Sequence, residues 1–253
     1  MLTGIVITRN EEKMIGDCLD SLQFCDEIIV VDNGNTDATN RIAAAKKARI
    51  IKSAGTDYSQ VRNDGLAAAR GDWILYVDAD ERVSPQLKDY LIRLLKDKDA
   101  DRCVYAIART NIYLGHEMKY GGWGGEHIIR LFPKKQLKGW KNPLHEQPVF
   151  TAEVAYIQPP LLHYSHRDLS SMLKKTLEFT AYEAKLRFAA GHPPVTWWRF
   201  FRVMLTEFWL RFVRLSAWKD GTPGVIDGLF QVFNTFIIYA RLWEMQQVKH
   251  ADR

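Results

Sequence analysis

The segment Trp73-Ile74-Leu75-Tyr76-Val77-Asp78-Ala79-Asp80-Glu81 runs from apolar residues into two carboxylates spaced two apart. On an extended strand, residues i and i+2 point to the same side, so Asp78 and Asp80 can converge on one ligand just past the strand's end. Two anionic oxygen groups on one side suit a hard divalent cation such as Mg²⁺ or Mn²⁺. In an open α/β sheet, ligands bind at the carboxyl ends of strands, where such a cation would be placed to neutralise a diphosphate. Asp-x-Asp alone fits a strand followed by an acidic turn better than a metal site. The neighbouring segments favour the chemical reading.

The elements that must position these residues alternate. Leu2–Thr8 reads as a strand. Asn10 and Glu11 open a helix through about Leu22, with Asn10 as N-cap. Glu27–Asp32 is a second strand, and Thr36 or Asp37 caps a helix through about Ala48. Arg49–Lys52 is a third strand, Gln60–Arg70 a helix stopped at Gly71, and Trp73–Val77 a fourth strand. Strands alternating with helices imply a parallel sheet with right-handed crossovers. Its strands end in Thr8, Asp32 and Asp78, so their polar ends share one rim. Between them lies Gln60-Val61-Arg62-Asn63-Asp64-Gly65. Carboxylates crowded on one rim favour a bound cation.

After Asp80 the rhythm changes. Ser84-Pro85 starts a helix through about Lys96. Val104–Tyr113 and His127–Phe132 read as strands around a glycine-rich loop, Tyr120–Gly125. Pro143–Val149 reads as a loop and Val154–Ile157 as a short strand before Pro159-Pro160. Asp168 or Ser170 caps a helix through about Ala189, which Gly191-His-Pro-Pro breaks. Residues 196–215 form a long helix, residues 219–224 a turn, and residues 225–247 a last helix.

Composition bounds the class. The 253 residues are 47% hydrophobic and 26% charged, as in a globular protein of one large domain or a domain with an appendage. Three cysteines without CxxC spacing argue against a disulfide framework or a zinc site and fit a reducing cytosol. The N-terminus has no basic stretch preceding a long apolar run, which argues against a signal peptide. No uncharged apolar stretch reaches about 18 residues, so no transmembrane helix is expected. The net charge of +5 suggests an anionic partner.

The order TRNEE, VVDNGNTDAT, VRNDGLAAARGDWILYVDADERV resembles the family-two glycosyltransferases of the GT-A fold, an α/β fold with a mainly parallel, helix-flanked sheet. The later segments GGWGGEHIIRLFPK, PLHEQ, LLHYSHRDLSSMLKKTLEFT and KDGTPGVIDGLFQVF are similar to the WaaE-like, lipopolysaccharide-core glucosyltransferase branch. The resemblance runs over nearly the whole chain. It departs at Asn33 and Asn35, where the family more often shows Ser in DSGSTD. It implies a catalytic domain over 1–165, with a nucleotide-sugar half at about 1–100 and an acceptor half at about 101–165, and a C-terminal helical region over 166–253.

The resemblance also implies roles. Thr8, Asn10 and Glu11 would lie along the nucleotide, with Asp37 near the base and Asp32 accepting from base or ribose. Arg62 would approach the phosphates or base. Asp78 would face ribose or metal, and Asp80 would ligate the Mg²⁺ or Mn²⁺ that bridges the diphosphate of a UDP-sugar. Asn10 and Asp37 equally fit helix caps, and Arg62 a surface helix residue. An inverting transfer needs a base for the acceptor hydroxyl, and Glu126 stands where related sequences carry an Asp. Trp123 offers a flat face to a pyranose. His145 and Glu146 are candidates for acceptor, diphosphate or metal contact, while His163 and His166 fit structural or acceptor-side roles better.

In residues 196–215, Arg199, Arg202, Arg211 and Arg214 interleave with Trp197, Trp198, Phe201, Phe208, Trp209 and Phe212. Such a helix suits a membrane interface or packing on the catalytic domain. The expectation is a peripheral protein at the cytoplasmic face acting on a saccharide or lipid-linked acceptor of the cell envelope, of unknown oligomeric state. A nucleotidyltransferase is disfavoured because TRNEE is acidic and lacks glycine where a phosphate loop would stand. A nucleic-acid-binding protein is disfavoured by the acidic rim.

Overall fold

The computed structural model describes residues 1–55, 57–142, 146–166 and 168–251. The chain divides into two compact units, one of residues 1–110 and 125–163, the other of residues 111–124 and 164–253.

The first unit is built on β1 (Leu2–Thr8), α1 (Ile15–Ser21), β2 (Glu27–Asp32), α2 (Thr39–Ala45), β3 (Arg49–Lys52), α3 (Tyr58–Ala68) and β4 (Trp73–Asp78). These strands pair in parallel in the order β3-β2-β1-β4. In register, Thr8 stands beside Asp32 and Ile7 beside Asp78, so the polar strand ends share one rim as the alternation implies. Ile5, Val6, Val30, Val31, Ile74 and Leu75 are fully buried between the helix layers. A Cβ at Gly65 of α3 would come within 2.8 Å of Ile5 and 3.0 Å of Val31, so the missing side chain is what lets this helix lie against the sheet.

Beyond β4 come β5 (Glu81–Val83), α4 (Pro85–Leu94), β6 (Cys103–Tyr113), β7 (His116–Met118), β8 (His127–Pro133), β9 (Gly139–Lys141), β10 (Gln147–Val149) and β11 (Glu153–His166). The sheet continues from β4 as β8-β6-β11-β5, and the pairs β4–β8, β8–β6 and β11–β5 are antiparallel. The β3-β2-β1-β4 half is thus the parallel one, with antiparallel pairing entering at β8. β9 and β10 form a separate antiparallel hairpin.

Several boundaries differ from expectation. α1 begins at Ile15 because residues 11–14 form a turn, with Glu11 O accepting from Met14 N and Ile15 N. Asn10 is therefore not its N-cap; it adopts φ +60° and bonds elsewhere. α3 starts at Tyr58, with the Asp57 side chain accepting from Gln60 N, and it ends before Gly71. The short strand at 154–157 is part of a strand running to His166 through both prolines. The β5 register begins at Leu161, so Pro159 and Pro160 stand where no N–H is owed to β5.

In the second unit, β7 pairs with the end of β6. The helices are α5 (Leu169–Ala189), α6 (Trp197–Phe208) and α7 (Gly221–Ala251). Asp168 caps α5, its side chain accepting from Ser171 N at 2.7 Å. The helix expected over 196–215 divides at Trp209, where a wider π-helical turn runs to Arg214. The turn expected at 219–224 is helical instead, a 3₁₀ turn at Ala217–Asp220 leading straight into α7. Pro223 then falls in α7's first turn, where its missing N–H costs no hydrogen bond. Ala184, Val195, Ile238, Tyr239 and Leu242 make this unit's core.

Against the expectation of no membrane-spanning helix stands one candidate, by length and composition only. Residues 217–248 are long and apolar enough to cross a membrane by length and composition. Asp227 interrupts the stretch, which is why a count of uncharged residues misses it.

Candidate active site

Two loops at the rim are sewn together by their own side chains. Thr8 Oγ1 donates to Val31 O at 3.2 Å and accepts from Asn35 Nδ2 at 2.8 Å. Asn35 also donates to Asn40 Oδ1 and accepts from Asn10 N at 2.7 Å. The Asn10 side chain accepts from Thr36 N at 2.8 Å. Asn35, one of the two departures from the family pattern, thus spans three segments that a serine could not reach together.

Asp32 is buried and accepts from Asn35 N at 2.7 Å, Asn40 Nδ2 at 2.8 Å and Gly34 N at 3.0 Å. Burial alone would raise its carboxyl, but the donors from Asn35, Asn40 and Gly34 outweigh it and hold the group below the ordinary carboxylate range. Asp37 accepts from Thr39 N and Oγ1 and from Glu12 N, and these donors likewise overcome desolvation to hold it low. Glu11 N donates to Thr39 Oγ1 at 2.8 Å. Thr8, Asn10, Glu11, Asp32 and Asp37 are thus brought together at one rim, the acids already serving as loop organisers.

The centre of the rim is an alternating chain of acids and guanidinium groups. Glu126 meets Arg109, Arg109 meets Glu81 at 3.6 Å, and Glu81 meets Arg130 at 3.3 Å. Arg130 meets Asp78, Asp78 meets Arg62 at 3.2 Å, and Arg62 meets Glu146 at 2.9 Å. Arg62 is buried, with its guanidinium 4.7 Å from the Trp140 ring centroid and 5.4 Å from that of Tyr76. Trp140 is held by Asn63, which accepts from Trp140 N at 2.8 Å and donates to Trp140 O at 3.0 Å. The surface-residue reading of Arg62 is therefore overturned: α3 turns it inward.

Asp78 accepts from Arg62 through one oxygen and from Arg130 through the other. Burial would raise its carboxyl, but the charges of Arg130 and Arg62 overwhelm that and hold it far below the usual range. For Glu81, fully buried, desolvation wins over the pull of Arg130 and the carboxyl is pushed up. The two acids, three residues apart, are driven in opposite directions by their surroundings.

Asp80 points elsewhere. Its Oδ2 lies 3.4 Å from His163 Nε2. The antiparallel register that sets His163 opposite Glu81 brings the imidazole there. The Asp80 carboxylate is an oxygen donor of the kind Mg²⁺ or Mn²⁺ takes, and the His163 imidazole beside it is a softer nitrogen donor within reach of the same ion. Among the described residues no group of three or more His, Cys, Asp or Glu side chains is arranged to hold an ion. The protein would thus supply two ligands, leaving the other positions to phosphate oxygens and water, as is usual for Mg²⁺ at phosphates.

At the other end of the ion-pair chain, Arg109 donates from Nε at 3.0 Å and from Nη2 at 2.6 Å, both to Glu126 Oε2. This leaves the other oxygen of a carboxylate that is 41% exposed. Trp123 belongs to the second unit, where its Nε1 donates to Asp227 Oδ2 at 2.7 Å and its ring lies 6.2 Å from that of Tyr113. His145 lies outside the described residues. Sequence reasoning does not single out Arg109, Arg130 or Asn63, and it gives His163 a structural or acceptor-side role. Arg130 carried a usable signal: an arginine inside the apolar strand Ile128-Ile-Arg-Leu-Phe132 must find acids when buried.

The parallel half of the sheet, with a carboxyl rim that gathers an acid–imidazole pair beside a chain of ion pairs, makes this an α/β protein with an enzyme-like site. The chain belongs to glycosyl transferase family 2, whose sequence profile matches residues 3–159. An uncharacterised glycosyltransferase of Rickettsia typhi is 27% identical, over 96% of this chain and 87% of that protein. The lipopolysaccharide core biosynthesis glycosyltransferase LpsC of Rhizobium meliloti is 25% identical, over 98% of this chain and 94% of that one. Among solved structures, glucosyl-3-phosphoglycerate synthase from Mycobacterium tuberculosis in complex with Mn²⁺, uridine-diphosphate-glucose and phosphoglyceric acid is 23% identical, with a TM-score of 0.38. That likeness covers 44% of each chain.

Proposed function

We propose that this enzyme moves a sugar, with inversion, from a nucleoside diphosphate sugar to a saccharide or lipid-linked acceptor in cell-envelope glycan synthesis. Uridine is the base that the sequence resemblance implies. The similarity to LpsC supports a lipopolysaccharide-type acceptor. The observation that carries the reading is the Asp80–His163 pair at 3.4 Å on the rim of a family-2 fold.

The rim loops of Thr8, Asn10, Glu11, Asp32 and Asp37 are the proposed nucleoside cradle. Arg62, fixed between Asp78, Glu146 and the Trp140 face, holds a positive charge at the rim without side-chain reorganisation. Asp80 and His163 are the residues to hold a divalent cation; when bound, such an ion supplies Lewis-acid neutralisation of the diphosphate leaving group. Asp78, engaged by two arginines, orients Arg62 and Arg130.

Glu126 is the proposed base. Its Oε1 takes the proton of the acceptor hydroxyl as the acceptor oxygen bonds to the anomeric carbon. The bond from that carbon to the phosphate oxygen breaks on the opposite face, and its electron pair leaves with the nucleoside diphosphate. Arg109, clamping Oε2, fixes the direction of Oε1. His145 and Glu146 remain proposed neighbours of acceptor or diphosphate.

The proposed location is the cytoplasmic face of an anionic membrane. Trp197, Phe201, Leu205, Phe208, Trp209 and Val213 are exposed along one stretch, Trp197 to 76%, and Arg199, Arg202 and Arg214 accompany them. The test of the transfer reading is a hydrolysis screen across nucleotide sugars with Mg²⁺ and Mn²⁺. UDP-sugar turnover that stops on chelation is expected; turnover indifferent to chelation contradicts the ion's role.

A further inference from the structure

Within the second unit, α5, α7 and the end of β6 enclose a cavity of about 290 Å³. This is close to the lower end, roughly 300 Å³, of ligand-binding pockets. Tyr113, Met172, Phe179 and Phe230 give it apolar walls, and Lys175, Thr176, Asp227, Gln231 and Asn234 line the rest.

Part of this polar set is already paired. Thr176 Oγ1 donates to Asn234 Oδ1 at 2.8 Å, and Asp227 accepts from Trp123 Nε1 at 2.7 Å and Gln231 Nε2 at 3.1 Å. These bonds fix the amides' orientation and leave the Asn234 NH₂ as donor and the Gln231 carbonyl as acceptor. The two residues are three apart on α7, and so share a face of that helix. Burial pushes the Asp227 carboxyl up against the Trp123 and Gln231 bonds, which marks this end of the cavity as poorly hydrated.

We propose that this cavity is a saccharide subsite. One sugar ring would lie on an aromatic wall, with neighbouring hydroxyls bonding the Asn234 amide and the Gln231 carbonyl. A polyol matches this mixture of flat apolar faces and paired donor and acceptor groups. An alkyl chain would leave the amides desolvated and unbonded, a net loss. A phosphate would find one lysine and a carboxylate that repels it. The inference deepens the proposed function, since the sugar would be part of the acceptor.

The test uses the full chain with no donor present. Saturation-transfer NMR is run with the methyl glycosides of glucose, galactose and mannose, and in parallel with octanol as an alkyl probe. Transfer to at least one glycoside is expected, lost in both Asn234→Leu and Gln231→Leu while melting temperature and UDP–Mn²⁺ binding stay as in the parent. In turnover assays the same variants should raise the acceptor KM roughly tenfold, the loss of one or two neutral hydrogen bonds, at unchanged donor hydrolysis. No transfer to any glycoside, transfer that survives both variants, or binding of octanol alone overturns the subsite. Absence of UDP binding in the parent chain would instead count against the donor site.

Discussion

Arg130 stands between Asp78 and Glu81, and both acids depend on it. Arg130→Met would leave the buried Glu81 and the half-buried Asp78 short of a counter-charge, and a loss of up to about 3 kcal/mol is expected from urea unfolding. Asp80 is different, because its neighbour is an imidazole. Asp80→Ala should abolish turnover and leave the melting temperature without ligand within a few degrees; activity retained at saturating Mn²⁺ would remove Asp80 from the ion site. Glu126→Gln keeps the Arg109 contact and removes the base. It should cut kcat by roughly 10²–10⁴ with UDP affinity unchanged. Loss of UDP binding there would place Glu126 on the donor side instead. Asp32 links the site to acid stability. Its native pKa is depressed, so the folded state binds fewer protons than the unfolded chain, and stability is gained above the ordinary value near 3.8 and lost as pH falls through the lower native value. Asp32→Asn should be less stable at neutral pH and show a shallower fall in stability through the acid range.

At the scale of elements, the parallel half was legible because each strand ends at the same rim and each helix has its own length of chain. Local signals also placed the Ser84 cap and narrowed the α5 cap to Asp168 or Ser170, of which the structure uses Asp168. What sequence periodicity cannot reveal is register. Only the pairing of His163 with Glu81 brings an imidazole to Asp80, across 83 positions of sequence. Only α3's inward turn makes Arg62 a buried group. The start of α1 was misread because Asn10, a good cap by type, instead accepts from the backbone of Thr36. Gly65 shows how closely α3 must approach the sheet. Gly65→Ala would force Ile5 and Val31 aside, and a loss of about 1–3 kcal/mol should appear in the unfolding midpoint, together with weaker UDP binding as Arg62 shifts with the helix. Unchanged stability would mean that α3 can retreat.

At the scale of the whole molecule, the apolar residues exposed on α6 and the π-helical turn need a neighbour, and the arginines among them favour an anionic one. Flotation with phosphatidylglycerol-containing vesicles should carry the protein upward, and Trp197→Ser with Phe201→Ser should leave it behind. Equal flotation with neutral vesicles, or none at all, would contradict the electrostatic part of that reading. The charge of +5 suggested an anionic partner without saying which. The proposed anionic partners are a nucleoside diphosphate at the rim and a lipid surface at the helical unit.

Asp80 and His163 are proposed to hold the divalent ion that meets the departing diphosphate. Anomalous scattering from crystals grown with UDP-sugar and Mn²⁺ tests it most directly. The account predicts a manganese peak within coordinating distance of both Asp80 Oδ2 and the nucleotide phosphates, with His163 Nε2 in the same shell. A peak remote from Asp80, or a nucleotide bound away from the rim of Thr8, Asp32 and Asp78, would contradict it.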